Sequence, residues 1–206
     1  MKSKKQYSVE KAFLKEPWKH LTYSEIQKIS QNKSKSYIYG IIGKLKKENK
    51  IIEEKIGKRA IVYLPKLDSA LSQSYWGGLS EKIAWEQSKV PVHIIENIRA
   101  KLGSLFFILL VTGSYARGTS TRESDLDIVI ISNQGTMSIY SELKHEAETS
   151  IPKVHLYAFN EKEFLEMLAR KKENYGREIA RNNLLFFGGS CYYSLLSEAI
   201  SHGFKG

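Results

Sequence analysis

The residue types best suited to chemistry are concentrated between positions 113 and 127. Gly113 and Ser114 end one apolar run, and Asp125 and Asp127 open another. Aspartates two positions apart on a strand project from the same face, with Cα atoms about 7 Å apart. Two carboxylates at that spacing suit one Mg²⁺ or a pair of ions, and such ions also take substrate phosphate oxygens.

The elements that must position these residues are two strands and the turn between them. The apolar runs 106–112 and 128–131 are rich in β-formers and predict buried strands. Gly113 lacks a side chain, so its backbone can approach a phosphate closely. Ser114 adds a hydroxyl and begins a turn with free N–H groups, and Arg117 can pair with a phosphate through two hydrogen bonds. Anion donors beside a metal clamp indicate phosphoryl or nucleotidyl transfer.

This segment resembles the signature of the minimal nucleotidyltransferases, a branch of the DNA polymerase beta-like nucleotidyltransferase superfamily. The family pattern is a strand ending in Gly-Ser, a glycine four residues further on, and then Ser-Asp-x-Asp. The matching residues are Gly113, Ser114, Gly118, Ser124, Asp125 and Asp127. The resemblance covers roughly residues 80–190.

The resemblance implies transfer of an NMP group from an NTP, with ATP as the expected NTP, to an unknown acceptor. It implies that Asp125 and Asp127 hold Mg²⁺ and that Gly113 and Ser114 bind the triphosphate. Together with Arg117 from the turn, the candidate nucleotide-binding residues are Gly113, Ser114, Arg117, Gly118 and Ser124.

The chain departs from the family pattern at the third carboxylate. Active members usually carry an acidic residue on the next strand, but the predicted strand 153–159 has no Asp or Glu. The matching position is His155, with Tyr157 on the same face. Histidine can act as a general base near neutral pH, yet it is a poor ligand for Mg²⁺. His155 is therefore the third candidate catalytic residue beside Asp125 and Asp127, and the alternative is a strand residue without a catalytic role.

The net charge of +10 belongs to the N-terminal third of the chain. Residues 1–66 carry 17 Lys or Arg and 6 Asp or Glu, a net +11, whereas residues 67–206 carry 15 and 16, a net −1. Basic charge confined to one segment favours a polyanion partner, nucleic acid before membrane. The alternative is a solvated lysine-rich surface.

The order of elements predicted for this basic third resembles a winged helix-turn-helix domain over residues 7–66. A helix at 8–15 is followed by a capping-box pattern at Thr22–Glu25, a second helix, a third helix from Ser34 to about Lys50, and two strands at 51–56 and 60–64. Such domains place the third helix in the major groove and the hairpin tip on phosphate or in the minor groove. The implied DNA-binding residues are Lys33, Lys35, Ser36, Tyr39 and Lys44, with Lys58 and Arg59 on the wing. A winged helix used for protein contacts is the alternative.

The sequence thus predicts an α+β fold, with an N-terminal winged helix-turn-helix plus a small mixed α/β nucleotidyltransferase-fold domain. We expect domains at 1–66 and 80–206, with a linker at 67–79 and helical structure over 80–102. A single cysteine excludes an internal disulfide, and the longest apolar run is too short to cross a bilayer. These features favour a cytoplasmic protein without a membrane partner.

Three functions are compatible with this sequence. The first is a Mg²⁺-dependent nucleotidyltransferase coupled to DNA binding. The second is a DNA-binding transcriptional regulator whose degenerate domain senses nucleotide. The third is an antitoxin-like member of the family. The expected partners are an NTP and double-stranded DNA, with a homodimer and a toxin as further candidates.

Overall fold

A computed structural model of the chain describes residues 4–57, 60–102 and 106–206. The helices are Lys4–Lys15 (α1), Tyr23–Ser30 (α2), Lys35–Lys47 (α3), Ala70–Gln87 (α4), Val92–Lys101 (α5), Gly113–Arg117 (α6), Thr136–Thr149 (α7), Glu161–Ala169 (α8), Tyr175–Arg181 (α9) and Gly189–Ser201 (α10). The strands are Leu21–Thr22 (β1), Ile51–Ile56 (β2), Ala60–Pro65 (β3), Ile108–Val111 (β4), Leu126–Ile131 (β5), Val154–Phe159 (β6) and Leu184–Phe187 (β7).

The N-terminal unit packs α1, α2 and α3 against a small antiparallel sheet of order β1-β3-β2. The capping box at the start of α2 is confirmed: Thr22 Oγ1 accepts from the Glu25 N–H at 3.3 Å, and Glu25 Oε2 accepts from the Thr22 N–H at 2.8 Å. Phe13, Ile26 and Ile38 are fully buried between the helices. The three predicted helices and the predicted hairpin are therefore present in the expected order, although α3 ends at Lys47.

The second unit is built on a four-stranded sheet of order β6-β5-β4-β7. Strand β5 runs parallel to β6, and β4 runs antiparallel to both β5 and β7. Helices cover both faces: α5 and α7 pack on one, and α4, α8 and α10 pack on the other. Burial on both faces explains why β4 and β5 read as continuous apolar runs in the sequence.

The prediction of a linker is wrong for residues 70–79, which form the first half of α4. Ser69 caps this helix by accepting from the Ser72 N–H at 3.3 Å. Trp76 is fully buried, and its indole Nε1 donates to the Lys50 carbonyl at 3.1 Å. The helix therefore packs against the N-terminal unit at one end, and a single apolar cluster continues from that unit onto one face of the large sheet.

A buried polar contact also joins the two units. The Tyr75 hydroxyl donates to Glu10 Oε1 at 2.6 Å, and Glu10 is fully buried on α1. Burial, and then the hydrogen bond to Glu10, raise the pKa of Tyr75 well above its usual range. The Lys50 ammonium lies 4.9 Å from the centre of the Tyr75 ring. Because polar groups at this depth must keep their partners, the contact fixes α4 against α1.

No helix among the described residues combines the length and the apolar character needed to cross a membrane.

The crossing of α4 and α10 depends on two glycines. A Cβ built on Gly189 would lie 2.7 Å from Gly77 Cα, and one built on Gly77 would overlap the Gly189 backbone. The adjacent Gly78 is exposed, and a Cβ there would meet nothing within 4 Å. The Trp-Gly-Gly sequence that suggested a linker is thus a close helix contact at its first glycine.

This pair of neighbouring glycines gives a matched test of the crossing. We expect Gly77→Ala to lower the free energy of unfolding by about 1–3 kcal/mol, because the added methyl forces the two backbones apart. We expect Gly78→Ala to raise it by about 0.5–1 kcal/mol, because alanine is the better helix former in open space. Urea denaturation of both variants measures the difference, and shifts of the same sign would contradict the packing described.

Candidate functional site

The turn after β4 brings the Gly113 backbone against the carboxylate of Asp127. The Thr112 N–H donates to the Asp127 carbonyl at 2.9 Å, which ties the turn to the start of β5. Gly113 has a φ of 67°, and a Cβ built on it would lie 3.1 Å from Asp127 Cγ and overlap Oδ2. Both the left-handed conformation and the contact require a residue without a side chain.

The three candidate catalytic residues converge at one end of the large sheet. Asp125 directly precedes β5, and in the parallel ladder Asp127 is level with His155 of β6. His155 Nε2 lies 3.5 Å from Asp125 Oδ2, and His155 Nδ1 lies 3.5 Å from Asp127 Oδ1. The side chains are 44%, 25% and 42% exposed for Asp125, Asp127 and His155. The group is therefore open to a substrate from solvent.

The segment after Gly113 is a single short helix, α6. Gly118 ends it with a φ of 71°, so the second glycine of the motif occupies a left-handed cap. Thr119 N–H donates to the Ser114 carbonyl at 2.9 Å. Ser124 Oγ accepts from the Thr121 N–H at 2.9 Å and so closes the turn that leads into β5. In the structure Gly118 and Ser124 shape the backbone around the aspartates.

Arg117 is engaged with another side chain. Its Nη1 lies 3.3 Å from Glu178 Oε1 of α9, and both side chains are about half exposed. The sequence reasoning assigned Arg117 to phosphate and missed Glu178, because a lone acid on a later helix carries no signal. An exposed pair of this kind contributes little to stability, so Arg117 can exchange Glu178 for another anion at small cost.

An aromatic pair, Tyr157 and Tyr175, borders the site, and only Tyr157 was predicted from the sequence. Tyr157 lies on the same face of β6 as His155, and its ring centre is 4.7 Å from that of Tyr175 on α9. Burial raises the pKa of Tyr175 above its usual range, and the neighbouring Tyr157 hydroxyl and Asp127 carboxylate act in the same direction. Tyr175 therefore stays protonated and can donate a hydrogen bond beside the aspartates.

Five of the seven candidate DNA-binding residues lie in the part of the N-terminal unit that the structure describes. The side chains of α3 and of the loop before it that the sequence assigned to DNA are all exposed: Lys33, Lys35, Ser36, Tyr39 and Lys44. Tyr39 stacks on Tyr23 with ring centres 4.6 Å apart. Lys44 lies 3.9 Å from Glu48. Lys58 and Arg59 lie outside the described residues.

Within the described ranges, no group of three or more His, Cys, Asp and Glu side chains is arranged to hold a metal ion on its own. The two ring nitrogens of His155 face different carboxylates. Asp125 and Asp127 remain as two hard oxygen donors on one surface. That set fits the way Mg²⁺ is bound in nucleotide sites, through one or two carboxylates plus substrate phosphates.

Comparison with protein families matches residues 94–179 to the model of the nucleotidyltransferase domain. This range contains the Gly113 turn, both aspartates, His155 and Glu178. Comparison with curated proteins found no significant match. The similar solved structures include a toxin-antitoxin with AMP-PNP, which is 16% identical, with 54% of this chain and 86% of that chain covered at a TM-score of 0.35. Because the sequence identity and the TM-score are both low, this likeness carries no argument about the chain.

The contact between Gly113 and Asp127 can be tested with one methyl group. We expect Gly113→Ala to displace the Asp127 carboxylate and to weaken binding of a Mg²⁺–NTP complex by about tenfold or more, since a carboxylate moved by an ångström loses its ligand geometry. Gly135→Ala is the matched control, because a Cβ there meets nothing within 4 Å and Gly135 has no positive φ. Isothermal titration calorimetry measures the affinity of both variants for the Mg²⁺–NTP complex. Equal affinities would show that the contact between Gly113 and Asp127 does not shape the binding site.

Proposed function

We propose that this chain is a nucleotidyltransferase that moves an NMP group from an NTP to an acceptor and uses Mg²⁺ to do so. The observation that carries the proposal is the convergence of the Gly113 turn with Asp125 and Asp127. An anion-binding turn directly against paired carboxylates is what a metal-bound triphosphate needs. The family match over residues 94–179 supports nucleotidyl transfer in general.

The metal would be held by Asp125 and Asp127. When bound, Mg²⁺ would neutralise phosphate charge and stabilise the charge that develops on the oxygens during transfer. The chain's own residues orient the triphosphate: the Gly113 backbone and the Ser114 hydroxyl contact it, and Arg117 pairs with it after leaving Glu178. No protein nucleophile is required, because positioning and electrostatics supply most of the rate in this chemistry.

His155 is the group placed to take the proton of the acceptor hydroxyl. Its ring lies between the two carboxylates at 3.5 Å from each, on the open side of the site. A neutral imidazole accepts a proton efficiently near neutral pH. This role replaces the third carboxylate of the family pattern as the base.

We also propose that residues 7–66 form a winged helix-turn-helix domain that binds double-stranded DNA. Support comes from the exposed lysines along α3 and from the hairpin of β2 and β3 that follows it. Gly40 and Gly43 lie on the exposed side of α3 with nothing within 4 Å of a Cβ, which allows close approach of a phosphate backbone. Lysines favour phosphate contact over base recognition, so binding is expected to be weakly sequence-specific.

The regulator alternative differs from the enzyme in one respect, namely that bound NTP is not transferred. The antitoxin alternative requires a toxin partner. The contacts among the described residues are all within one chain, so they do not test this alternative. A homodimer and a cytoplasmic location stay predictions from the sequence.

A labelling assay separates the enzyme from the sensor. With α-labelled NTPs, Mg²⁺ and a panel of protein, nucleic-acid and small-molecule acceptors, we expect label to transfer. Asp125→Asn and Asp127→Asn should each reduce transfer by about a hundredfold or more, because the charge facing the metal is lost. Asp68→Asn is the control, since Asp68 is an exposed carboxylate on the segment before α4. Tight NTP binding without transfer to any acceptor would favour the sensor.

Salt dependence tests the DNA interface. Each lysine bound to phosphate contributes roughly one unit to the slope of log Kd against log salt concentration. We expect Lys35→Gln and Lys44→Gln each to weaken binding to any duplex and to reduce that slope by about one unit. Lys171→Gln, an exposed lysine of the second unit, should change neither. Fluorescence anisotropy measures the curves, and an affinity that is indifferent to salt would refute phosphate contact.

A further inference from the structure

A polar cavity of about 220 Å³ lies next to the candidate site. Its walls come from several elements that are distant in sequence: the end of α1, α4, α6, the segment joining α9 to β7, and α10. Ala116 of α6 forms one side, and Asn182, Asn183 and Tyr192 form others. None of the three candidate catalytic residues lines it, so the cavity is a separate compartment that shares α6 with the site.

The cavity is within reach of a nucleotide held at the Gly113 turn. Helix α6 has only five residues, and at about 1.5 Å per residue Ala116 lies about 5 Å along the axis from Gly113. The Thr112 hydroxyl donates to the Asn182 carbonyl at 2.8 Å, which ties the turn to the opposite cavity wall. The cavity wall at Ala116 is therefore less than one helical turn from the position proposed for the triphosphate.

The two asparagines in the wall are used differently. Asn183 Nδ2 donates to the Ile179 carbonyl, the Ala180 carbonyl and the Tyr192 hydroxyl at 2.9–3.2 Å, so this amide is committed to the fold. Asn182 uses its backbone, with its N–H on the Glu178 carbonyl at 2.9 Å. Its side-chain amide makes no hydrogen bond to any other residue that the structure describes. A donor and an acceptor side by side on asparagine are the pair that reads one edge of adenine.

We propose that this cavity takes the purine base of the NTP and that Asn182 reads the base edge. A dry cavity of about 150 Å³ holds benzene, so the volume here is in the range of a two-ring base. The inference rests on the proposed function, since it needs the triphosphate at the Gly113 turn. It adds a specificity-determining residue and a structural basis for the purine NTP that the family resemblance leads us to expect.

One consequence concerns the N-terminal unit. Lys15 is the last residue of α1 and Pro17 follows the helix. Both residues line the cavity on the side of the N-terminal unit. A bound base therefore contacts both units, and the basic unit and the nucleotide share a surface. Lys15 is exposed at this wall and can approach the ribose phosphates without burying its charge.

The test separates base binding from phosphate binding on the full chain with Mg²⁺. Calorimetric titrations of ATP, CTP and inorganic tripolyphosphate are compared for the wild type and for Ala116→Leu, whose added side chain enters the cavity. We expect ATP to bind about tenfold more weakly to the variant, because the leucine side chain occupies space that the base needs, while tripolyphosphate binding stays within about twofold. Equal weakening of both ligands, or of neither, overturns the inference.

Thermal melting reports whether Ala116→Leu folds, and Asn182→Ala tests the inference even if it does not. We expect the preference of Asn182→Ala for ATP over CTP to be about fivefold or more below that of the wild type, the lower end of what one paired base contact contributes. Asn133→Ala, an exposed asparagine between β5 and α7, is the control and should leave the preference unchanged. An unchanged preference in Asn182→Ala overturns the inference and leaves the proposed function intact. Failure of the wild type to bind tripolyphosphate, or binding unaffected by Asp127→Asn, refutes the proposed function instead.

Discussion

The geometry of the site depends on the absence of a side chain at position 113. With a φ of 67° and the Asp127 carboxylate directly against its backbone, Gly113 places the turn after β4 and the Asp127 carboxylate in direct contact. The positions of the neighbouring strand residues follow from that contact. The Thr112 hydrogen bond to Asp127 fixes the start of β5, and the ladder of β5 with β6 then sets His155 level with Asp127. The site is thus built from three neighbouring strands, β4, β5 and β6, and one turn.

Sequence reasoning located this part because its determinants are local. The Gly-Ser turn, the aspartate spacing and the flanking apolar strands fall within the 26 residues 106–131, and strand periodicity alone places both carboxylates together. The strand position of His155 could also be predicted from the sequence, because two parallel strands joined by a helix form a common connection. The prediction of a third catalytic residue stays a prediction, but the placement of its side chain between the aspartates agrees with it.

The parts that sequence reasoning missed are those that depend on distant packing. Glu178 and Tyr175 reach the site only because α9 lies across it, and neither residue type signals that position. The linker prediction failed for a related reason. Gly77 and Gly78 look alike in the sequence, yet one packs on Gly189, 112 positions later, and the other faces solvent. A glycine selected for close backbone approach cannot be told from a flexible one without knowing its partner.

The same long-range packing joins the basic N-terminal unit to the unit built on the large sheet. Helix α4 contacts the N-terminal unit through Trp76 and the buried pair of Tyr75 with Glu10, and contacts α10 through Gly77. Because these contacts are buried, the two units are expected to move as one body, and a polyanion on α3 would be held at a fixed orientation to the aspartates. On the proposed function, the basic charge would therefore also determine which part of a bound duplex, or of another acceptor molecule, faces the proposed base His155.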